Sequence, residues 1–215
     1  MKSFDLSLYL VLDPGLCAGI GMVETTRRAV AGGVTMIQLR DKTAGTAGLI
    51  ETGRRLKDVL AGTGVKLIVN DDVDAVLAIG ADGLHVGQSD MSAAEARRRL
   101  GGEAILGLSA ETPDLIAAVD PAVVDYIGTG PVFATATKPD HHPPVGFDGV
   151  AALIAASPVP AVAIGGLKKE HVAQVLGAGA DGLAVVSAIC GQPDPRAAAA
   201  EIAAEIALTR EGTKG

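Results

Sequence analysis

Aromatic side chains and cysteines are scarce in this sequence, and tryptophan is absent. Only 2% of the 215 residues are aromatic, so the apolar 48% of the chain must build its core mainly from Val, Ile, Leu and Ala. The two cysteines, Cys17 and Cys190, are far apart in sequence and lack the spacing of a metal site. We interpret them as free, buried thiols in a reducing compartment.

Long apolar runs are also missing. No segment approaches the ~20 apolar residues that a membrane-spanning helix needs. The apolar run at 6–12 lies between Asp5 and Asp13. It is too short and too poorly flanked for a signal peptide, so we interpret it as a first β-strand. These features predict a cytoplasmic protein that does not enter a membrane.

Positive charge is in deficit, with a formal net charge of −7. This balance argues against a broad basic face and therefore against nucleic-acid binding. It does not exclude a small anionic ligand, because a local pair of cations such as Arg40 and Lys42 sets the potential of a single cleft. We expect small molecules as partners, and a homo-oligomer is compatible with the sequence.

Short β-rich runs alternate with helical patterns along the whole chain. The predicted strands are 6–12, 35–39, 65–69, 82–86, 104–108, 124–128, 161–164 and 181–186. The predicted helices are 22–31, 46–60, 73–79, 92–100, 113–119, 148–156, 170–178 and 196–208. Eight such units predict an α/β fold, a single-domain (β/α)8 TIM barrel over residues 1–215. An open, doubly wound sheet is the structural alternative.

The second predicted strand carries an unusual set of charges in the sequence MIQLRDK, residues 36–42. Alternation along a strand places Gln38, Arg40 and Lys42 on one face, and Ile37 and Leu39 on the other. One face is therefore apolar, whereas the other carries an amide and two cations. This pattern predicts an anionic ligand beside the second strand.

Other polar residues follow the neighbouring strands, and in a (β/α)8 barrel the carboxyl ends of the strands carry the chemistry. Asp71 and Asp90 follow strands three and four, where one hard cation such as Mg²⁺ would bind two carboxylates together with phosphates and waters. The remaining polar or cationic residues at these ends are Arg40, Lys42, Asn70, Ser109, Thr135, Thr137 and Lys138. Cations beside a carboxylate pair indicate a diphosphate.

The last two strand ends predict a second anion site. Gly165 and Gly166 follow strand seven, and Ser187 follows strand eight. Glycines permit close backbone approach, and the residues 186–189 are predicted to begin a short helix whose N-terminus binds a phosphate.

We do not assign a catalytic or metal-binding role to three of the histidines. His141 and His142 lie in a Pro-rich loop, and their side chains are expected to point apart in solvent rather than bind a metal. His85 lies inside strand four and is expected to be a hydrogen-bonded core histidine. The sequence contains no recognisable arrangement for a dedicated nucleophile.

Seven motifs together resemble those of the thiamine-phosphate synthase family over nearly the full chain. They are QLRDK (38–42), ND (70–71), HVGQSD (85–90), GLS (107–109), GPVFATATK (130–138), AIGG (163–166) and VVS (185–187). The resemblance implies a transferase of thiamine biosynthesis that joins 4-amino-2-methyl-5-(diphosphooxymethyl)pyrimidine to a thiazole phosphate and releases pyrophosphate. It further implies that diphosphate departs first, leaving a pyrimidinylmethyl cation that the thiazole nitrogen attacks.

The resemblance also assigns the residues. The pyrimidine diphosphate would be bound by Gln38, Leu39, Arg40, Asp41, Lys42, Asn70, Ser109 and Lys138. The thiazole phosphate would be bound by Thr135, Ala136, Thr137, Gly166, Val186 and Ser187. Arg40, Lys42, Ser109 and Lys138 would be catalytic. One Mg²⁺ per subunit would be bound by Asp71 and Asp90.

Two alternatives share the phosphate site. The related thiazole tautomerase, an isomerase with the same fold, is expected to lack the diphosphate-binding residues and to have a histidine where Pro131 stands here. A phosphate sensor without catalytic activity has no need of two carboxylates opposite three cations. Asn70, Asp71, Asp90 and Pro131 therefore favour the synthase.

Overall fold

A computed structural model describes residues 2–135, 137 and 142–212, which form a closed barrel of eight parallel strands in sequence order. The strands are β1 Leu8–Val11, β2 Met36–Leu39, β3 Lys66–Asn70, β4 Gly83–Val86, β5 Ile105–Ser109, β6 Tyr126–Thr129, β7 Ala161–Ala163 and β8 Gly182–Val185. The helices are α1 Gly21–Ala31, α2 Gly45–Leu60, α3 Val73–Ile79, α4 Ala93–Leu100, α5 Pro113–Ala117, α6 Gly146–Ala155, α7 Val172–Gly177 and α8 Pro195–Gly212. The strand pairing of β1 with β8 closes the barrel and rules out the open sheet.

Polar side chains begin several of the helices that follow the strands. The side chains of Asp72, Ser92 and Thr112 each accept a hydrogen bond from the backbone N–H three residues later, and so cap α3, α4 and α5. Gly80 ends α3 with a left-handed φ of 65°, a conformation that glycine adopts without a steric penalty. Short connections of this kind keep each helix against the strand that precedes it.

The core has two layers, which are separated by the sheet. The outer layer lies between strands and helices and contains Ile37 and Leu39. The inner layer fills the barrel and contains Tyr9, Met36 and Tyr126. Alternation along each strand therefore decides which side chains pack under the helices and which face the barrel axis.

The amino-terminal end of the barrel is closed by a group of ion pairs around Asp125. Its carboxylate accepts hydrogen bonds from Lys2 Nζ at 2.7 Å, from an Arg97 guanidinium nitrogen at 2.7 Å, and from the backbone N–H of Leu106 at 2.8 Å. These three residues come from separate segments of the chain, so the carboxylate links them where the strands begin.

The eight strands and eight helices of the predicted repeat are confirmed in number and order, and the differences within them lie at their ends. The predicted first strand at 6–12 shortens to β1, although single backbone hydrogen bonds continue beyond it, from the Leu12 N–H to the Gln38 carbonyl of β2 and from the Leu183 N–H of β8 to the Ser7 carbonyl. The predicted helix at 170–178 begins as a 3-10 turn, Lys169–His171, and continues as α7. Among the residues that the structure describes, no helix has the length and apolarity needed to cross a membrane.

Candidate functional site

A cavity of about 350 Å³ opens at the carboxyl ends of the barrel strands. Its floor is formed by side chains of the inner core layer, and its rim is formed by the loops that follow the strands. The polar residues that line it are Tyr9, Asp13, Gln38, Arg40, Lys42, Asn70, Asp71, His85, Gln88, Ser89, Asp90, Ser109, Glu111, Thr135, Thr137, His142 and Ser187. Residues from both predicted anion sites therefore meet in one cavity.

The three polar residues of MIQLRDK lie on the cavity side of β2, as strand alternation predicts. Gln38 is buried in the floor, whereas Arg40 is half-buried and Lys42 is exposed at the rim. Lys42 forms an ion pair with Asp71. The Arg40 guanidinium forms no ion pair or hydrogen bond with any residue that the structure describes, although it lines the cavity.

Leu39 and Asp41, which the resemblance also assigned to the diphosphate site, are placed differently. Leu39 is fully buried in the outer core layer, on the opposite side of the strand from the cavity. The Asp41 carboxylate accepts hydrogen bonds from the backbone N–H groups of Thr43 at 2.9 Å and Ala44 at 3.1 Å, and so organises the turn before α2. Among the described residues, neither side chain contributes to the cavity lining.

Asp71 has an unusual backbone conformation at the end of β3. Its φ of 64° lies in the left-handed region, and no other described residue except glycine has a positive φ. The backbone N–H of Asp71 donates to the His85 carbonyl at 2.9 Å, and its carboxylate accepts from the Asn70 side-chain amide at 2.6 Å. Conformations of this kind are costly and concentrate at functional sites.

Asp90 reaches the same part of the cavity from the loop after β4. Its carboxylate accepts a hydrogen bond from the backbone N–H of Gly87 at 2.9 Å, and a Cβ at Gly87 would lie only 2.8 Å from that carboxylate. Burial raises the pKa of the Asp71 carboxyl above its usual value; the hydrogen bond from Lys42 opposes this, and the neighbouring Asp90 carboxyl adds to the rise. The two carboxyl groups are therefore close enough to interact.

The donor set of this acidic pair suits one hard cation. Two carboxylates with room for further oxygen ligands match the way Mg²⁺ is held by one or two protein carboxylates together with phosphates and waters. The described residues contain no cluster of three or more His, Cys, Asp or Glu side chains that would form a closed metal cage. Ligand oxygens would have to complete the coordination of a metal bound here.

The opposite rim of the cavity is built from backbone rather than charge. Gly165 and Gly166 follow β7 with φ angles of 106° and 64°. A Cβ at Gly165 would lie 2.4 Å from the Pro131 side chain, and a Cβ at Gly166 would lie 2.9 Å from the Phe133 side chain. Glycine is thus required at both positions by backbone conformation and by close packing of the loop after β6.

Val186 and Ser187 line the cavity after β8, but they do not begin the helix predicted at 186–189. The backbone N–H groups of Ile189 and Cys190 donate to the Val186 carbonyl at 3.1 and 2.8 Å, which makes a single turn. The chain then continues as turns until α8. The predicted helix N-terminus is therefore wrong, and one hydrogen-bonded turn takes its place.

The loop after β6 is described only in part. Thr135 and Thr137 line the cavity, and their hydroxyl groups are 2.9 Å apart. Ala136 and Lys138, which were assigned to the two substrate sites, lie outside the described residues, as does His141. His142 is exposed and lines the cavity, with its Nε2 atom 3.8 Å from a Glu111 carboxylate oxygen.

A hydrogen-bonded row of side chains in the cavity floor was missed by the sequence analysis. It contains both tyrosines of the chain and runs from Gln38 through Tyr9, Tyr126 and His85 to Ser109. His85 was predicted to be a hydrogen-bonded core residue, and it is buried with two such bonds, but it also lines the cavity. The available signal was that polar residues interrupt strands that are otherwise apolar.

Comparisons with known proteins show the family to which the chain belongs. The sequence profile of the family described as "Thiamine monophosphate synthase" matches residues 8–189. The chain is 50% identical over 209 residues to a thiamine-phosphate synthase of Xanthobacter autotrophicus, covering 97% of this chain and 99% of that protein. It is 47% identical over 207 residues to a thiamine-phosphate synthase of Azorhizobium caulinodans, covering 96% and 98%.

Solved structures give the same result. A thiamine phosphate pyrophosphorylase from Pyrococcus furiosus superposes with a TM-score of 0.86 at 33% identity, covering 95% of this chain and 96% of that one. An orotidine 5'-phosphate decarboxylase from Pyrococcus horikoshii superposes with a TM-score of 0.68 at 16% identity, covering 92% and 99%. The second likeness concerns the fold alone.

Proposed function

The chain belongs to the thiamine monophosphate synthase family, and from this premise we propose how its cavity carries out the reaction. The protein is a transferase that condenses 4-amino-2-methyl-5-(diphosphooxymethyl)pyrimidine with a thiazole phosphate, giving thiamine phosphate and pyrophosphate. We assign the pyrimidine diphosphate to the ends of β2 to β5. We assign the thiazole phosphate to the ends of β6 to β8.

The observation that carries this assignment is the environment of Arg40. A half-buried guanidinium that lines a cavity without an ion pair to any described residue is unfavourable unless a ligand supplies the anion. The guanidinium fork matches phosphate oxygens with two parallel hydrogen bonds. Lys42 lies two residues further along the same face of the chain, so the two cations together suit a diphosphate better than a single phosphate.

We propose that one Mg²⁺ is held by Asp71 and Asp90, whose two adjacent carboxylates fit a hard cation. When bound, the ion would supply further positive charge to the diphosphate oxygens. The Asn70 amide and the Lys42 ammonium both donate to the Asp71 carboxylate. These contacts hold that side chain toward the cavity and keep its charge balanced before a ligand arrives.

The reaction needs no nucleophile from the protein. The bond from carbon to the diphosphate oxygen breaks first, and both of its electrons leave with the diphosphate. The resulting pyrimidinylmethyl cation is stabilised by the amino-substituted ring, and the lone pair of the thiazole nitrogen then forms the new bond. Arg40 and Lys42 stabilise the charge that develops on the leaving group, which is the kind of contact that accelerates a chemical step. Ser109 contacts the pyrimidine substrate, and the role of Lys138 rests on the resemblance alone.

The thiazole phosphate is anchored by the backbone rim. Gly166, Val186 and Ser187 line one side of the cavity, with the Thr135 and Thr137 hydroxyl groups nearby. Holding this phosphate fixes the thiazole nitrogen opposite the reacting carbon and converts a bimolecular encounter into a reaction between positioned partners.

Pyrophosphate release provides the direct test of this function. We expect purified protein to release pyrophosphate and form thiamine phosphate when both substrates and Mg²⁺ are present, and to form no thiamine phosphate when either substrate is omitted. Isomerisation of a carboxylated thiazole phosphate without pyrophosphate release would instead support the tautomerase. Binding of both phosphates without turnover would support a sensor.

Positional isotope exchange tests the order of bond breaking. The pyrimidine diphosphate is labelled with ¹⁸O at the oxygen that joins carbon to phosphorus, and the recovered substrate is analysed. If the bond breaks reversibly before attack, the label moves into non-bridging positions in the presence of a thiazole analogue that cannot react. Retention of all label in the bridge, during a measured forward reaction, would support a concerted displacement.

Two free thiols support a cytoplasmic location for this activity. Cys17 and Cys190 are both buried and neither is part of a disulfide. Reduced cysteines are typical of a reducing compartment. Fractionation of the source cells, with the activity measured in each fraction, tests this location.

A further inference from the structure

Five side chains form one unbroken row of hydrogen bonds under the cavity. Gln38 Nε2 donates to the Tyr9 hydroxyl at 2.8 Å, and the Tyr9 and Tyr126 hydroxyl groups are 2.9 Å apart. The Tyr126 hydroxyl is 3.1 Å from His85 Nδ1, and His85 Nε2 is 3.0 Å from Ser109 Oγ. The two ends of the row, Gln38 and Ser109, both line the cavity.

The protons of this row can be placed by counting donors and acceptors. Each phenol carries a single proton, and both Tyr9 and Tyr126 are at most 1% exposed. Because Gln38 Nε2 donates to Tyr9, the proton of Tyr9 must go to Tyr126, and the proton of Tyr126 must go to His85 Nδ1. His85 then carries its own proton on Nε2 and donates it to Ser109 Oγ.

The opposite direction is unfavourable with the Gln38 amide as it stands. If Tyr126 donated to Tyr9, the Tyr9 proton would have no acceptor among the described residues, and a buried donor without a partner is costly. The row can reverse only as a whole, with rotation of the Gln38 amide and a change of the His85 tautomer. The orientation of the Gln38 amide is therefore coupled to the His85 tautomer and, through it, to the direction of the hydrogen bond at Ser109.

A glycine in β5, Gly107, makes space for the Tyr126 and His85 side chains of this row. A Cβ at Gly107 would lie 2.4 Å from the Tyr126 hydroxyl and 2.5 Å from His85 Nδ1. Gly107 is paired with His85 on one side and with Tyr126 on the other, so a glycine in β5 lets these two side chains meet across it. Burial also raises the pKa of both phenols above the usual value, so they stay neutral and keep their protons.

We propose that Tyr9 and Tyr126 are positioning residues that lock the Gln38 amide and the His85 tautomer. The lock leaves Gln38 Oε1 as the amide atom offered to the cavity, and it leaves the Ser109 hydroxyl proton available for donation to a ligand. The cavity floor thus presents an acceptor at one end of the row and a donor at the other. This inference rests on the proposed function, since an aminopyrimidine offers an N–H group that Gln38 Oε1 accepts.

The consequence is selectivity for a 4-amino group over a 4-oxo group on the pyrimidine. The 4-oxo analogue places an oxygen where the amino group would donate, opposite an amide oxygen that can rotate away only if the whole row reverses. In Tyr9→Phe the amide is free to rotate and offers Nε2 to the oxo group. We expect the ratio of dissociation constants for the 4-oxo and 4-amino diphosphates, measured by calorimetry, to fall about tenfold in this variant.

Phe4→Leu is the matched control, because Phe4 packs 5.9 Å from the Tyr126 ring but has no hydroxyl group. This change disturbs the same aromatic cluster without breaking the row, so we expect it to leave the ratio unchanged. An equal fall in Phe4→Leu and Tyr9→Phe would overturn the proposal in favour of packing. An unchanged ratio in Tyr9→Phe would overturn it as well.

Nitrogen NMR of His85 in the unliganded protein gives a second readout that needs no activity. We expect the wild-type ring to be protonated on Nε2 and unprotonated on Nδ1, and Tyr126→Phe to give a mixture of tautomers because Nδ1 loses its donor. A wild-type ring protonated on Nδ1 would overturn the proposal. If the tautomer is as expected but neither diphosphate binds, the proposed function fails while the directed row stands.

Discussion

At the amino-terminal end of the barrel, Asp125 accepts hydrogen bonds from Lys2, Arg97 and a backbone N–H, so these three charged side chains are paired. At the carboxyl end, the Arg40 guanidinium lines a cavity with no partner among the described residues, and the Asp71 and Asp90 carboxyl groups lie side by side. The same barrel therefore pairs the charges around Asp125 at one end, whereas at the other end it leaves Arg40 without an ion pair among the described residues and brings two carboxyl groups near each other.

The charges around Asp125 contribute to stability, whereas the charges in the cavity serve function. Paired and hydrogen-bonded charges that are mostly buried link distant parts of the chain, and removing one partner leaves the others uncompensated. A guanidinium without an ion pair and two neighbouring carboxylates lower the stability of the empty protein, but a phosphorylated ligand or a metal can satisfy them. Substitutions at the two ends should consequently affect different measurements, and four predictions test this from the largest expected effect to the smallest.

Replacing Arg40 should have the largest effect, and the effect should be on catalysis. We expect Arg40→Gln to lower kcat/KM by 10²- to 10³-fold, about 3–4 kcal/mol, because a charged donor to the leaving diphosphate is lost. The free energy of unfolding should not decrease, since the guanidinium forms no ion pair or hydrogen bond with the residues that the structure describes. Pyrophosphate release and urea unfolding measure the two quantities.

The matched control for Arg40 is Arg27→Gln. Arg27 forms an exposed ion pair with Glu24 on α1, far from the cavity lining. We expect Arg27→Gln to leave kcat/KM unchanged. If Arg40→Gln lowered stability but not turnover, Arg40 would be a structural residue like those around Asp125, and the two ends of the barrel would not differ in function.

Removing either cavity carboxylate should have the next largest effect. We expect Asp71→Asn and Asp90→Asn each to lower turnover by roughly 100-fold, about 3 kcal/mol, and to raise the Mg²⁺ concentration needed for half-maximal activity. The reason is that each change removes one of two charged ligands. Titration of activity with Mg²⁺ in a chelator-treated preparation measures both effects.

Asp72→Asn is the control for this pair, because the same substitution is made one residue away. Asp72 caps α3 and binds the Thr46 hydroxyl, and Asn is an equally good cap. We expect Asp72→Asn to leave the Mg²⁺ titration unchanged. Full activity of the wild-type protein in excess chelator would remove the metal from the proposal.

Breaking the ion pairs at the amino-terminal end should affect stability alone. We expect Asp125→Asn to lower the free energy of unfolding by about 2–3 kcal/mol, since Lys2 and Arg97 lose their counter-charge at a site only about one-fifth exposed. At a temperature where the variant is folded, kcat/KM should match the wild-type value. Denaturant unfolding and steady-state kinetics check the two halves of this prediction.

Asp74→Asn provides the comparison at the surface. Asp74 is 66% exposed and pairs with Arg99, and exposed pairs contribute between ~0 and 1 kcal/mol. If Asp125→Asn destabilised the protein no more than Asp74→Asn does, the amino-terminal ion pairs would not be the structural counterpart of the cavity.

A charge at Ser187 should produce the smallest of the four effects. We expect Ser187→Glu to raise KM for the thiazole phosphate about tenfold, or about 1–2 kcal/mol, because a carboxylate repels the phosphate in a partly desolvated pocket. KM for the pyrimidine diphosphate should change little. Ser187→Gln is the control, because glutamine has the size of glutamate without its charge and so separates repulsion from steric blocking. Equal effects of Ser187→Glu on the KM values of both substrates would contradict two separate anion sites.

Much of this organisation could be predicted from the chain alone. The number, type and order of the strands follow from short apolar runs that alternate with helical patterns, and the cavity face of β2 follows from the period of two in a strand. The polar residues of the rim follow from the rule that parallel strands end together. These are properties of nearest neighbours in sequence, and a local pattern is sufficient to specify them.

Other features depend on which distant residues the closed barrel brings together. Tyr9 and Tyr126 are 117 positions apart, and no local pattern marks them as hydrogen-bond partners. Val11 and Cys190 are 179 positions apart in sequence, yet the Cys190 thiol donates to the Val11 carbonyl at 3.8 Å. Closure through the pairing of β1 with β8 creates both contacts.

The sequence by itself determined the repeated β–α units, the apolar and polar faces of each strand, and the residues that stand at the strand ends. Only the tertiary structure decided that Arg40 has no hydrogen-bond or ion-pair partner among the described residues, that Lys42 pairs with Asp71, and that one row of hydrogen bonds joins Gln38 to Ser109. The physical reason is that strand alternation is set by backbone geometry within a few residues. The environment of a side chain is instead set by the register and closure of all eight strands.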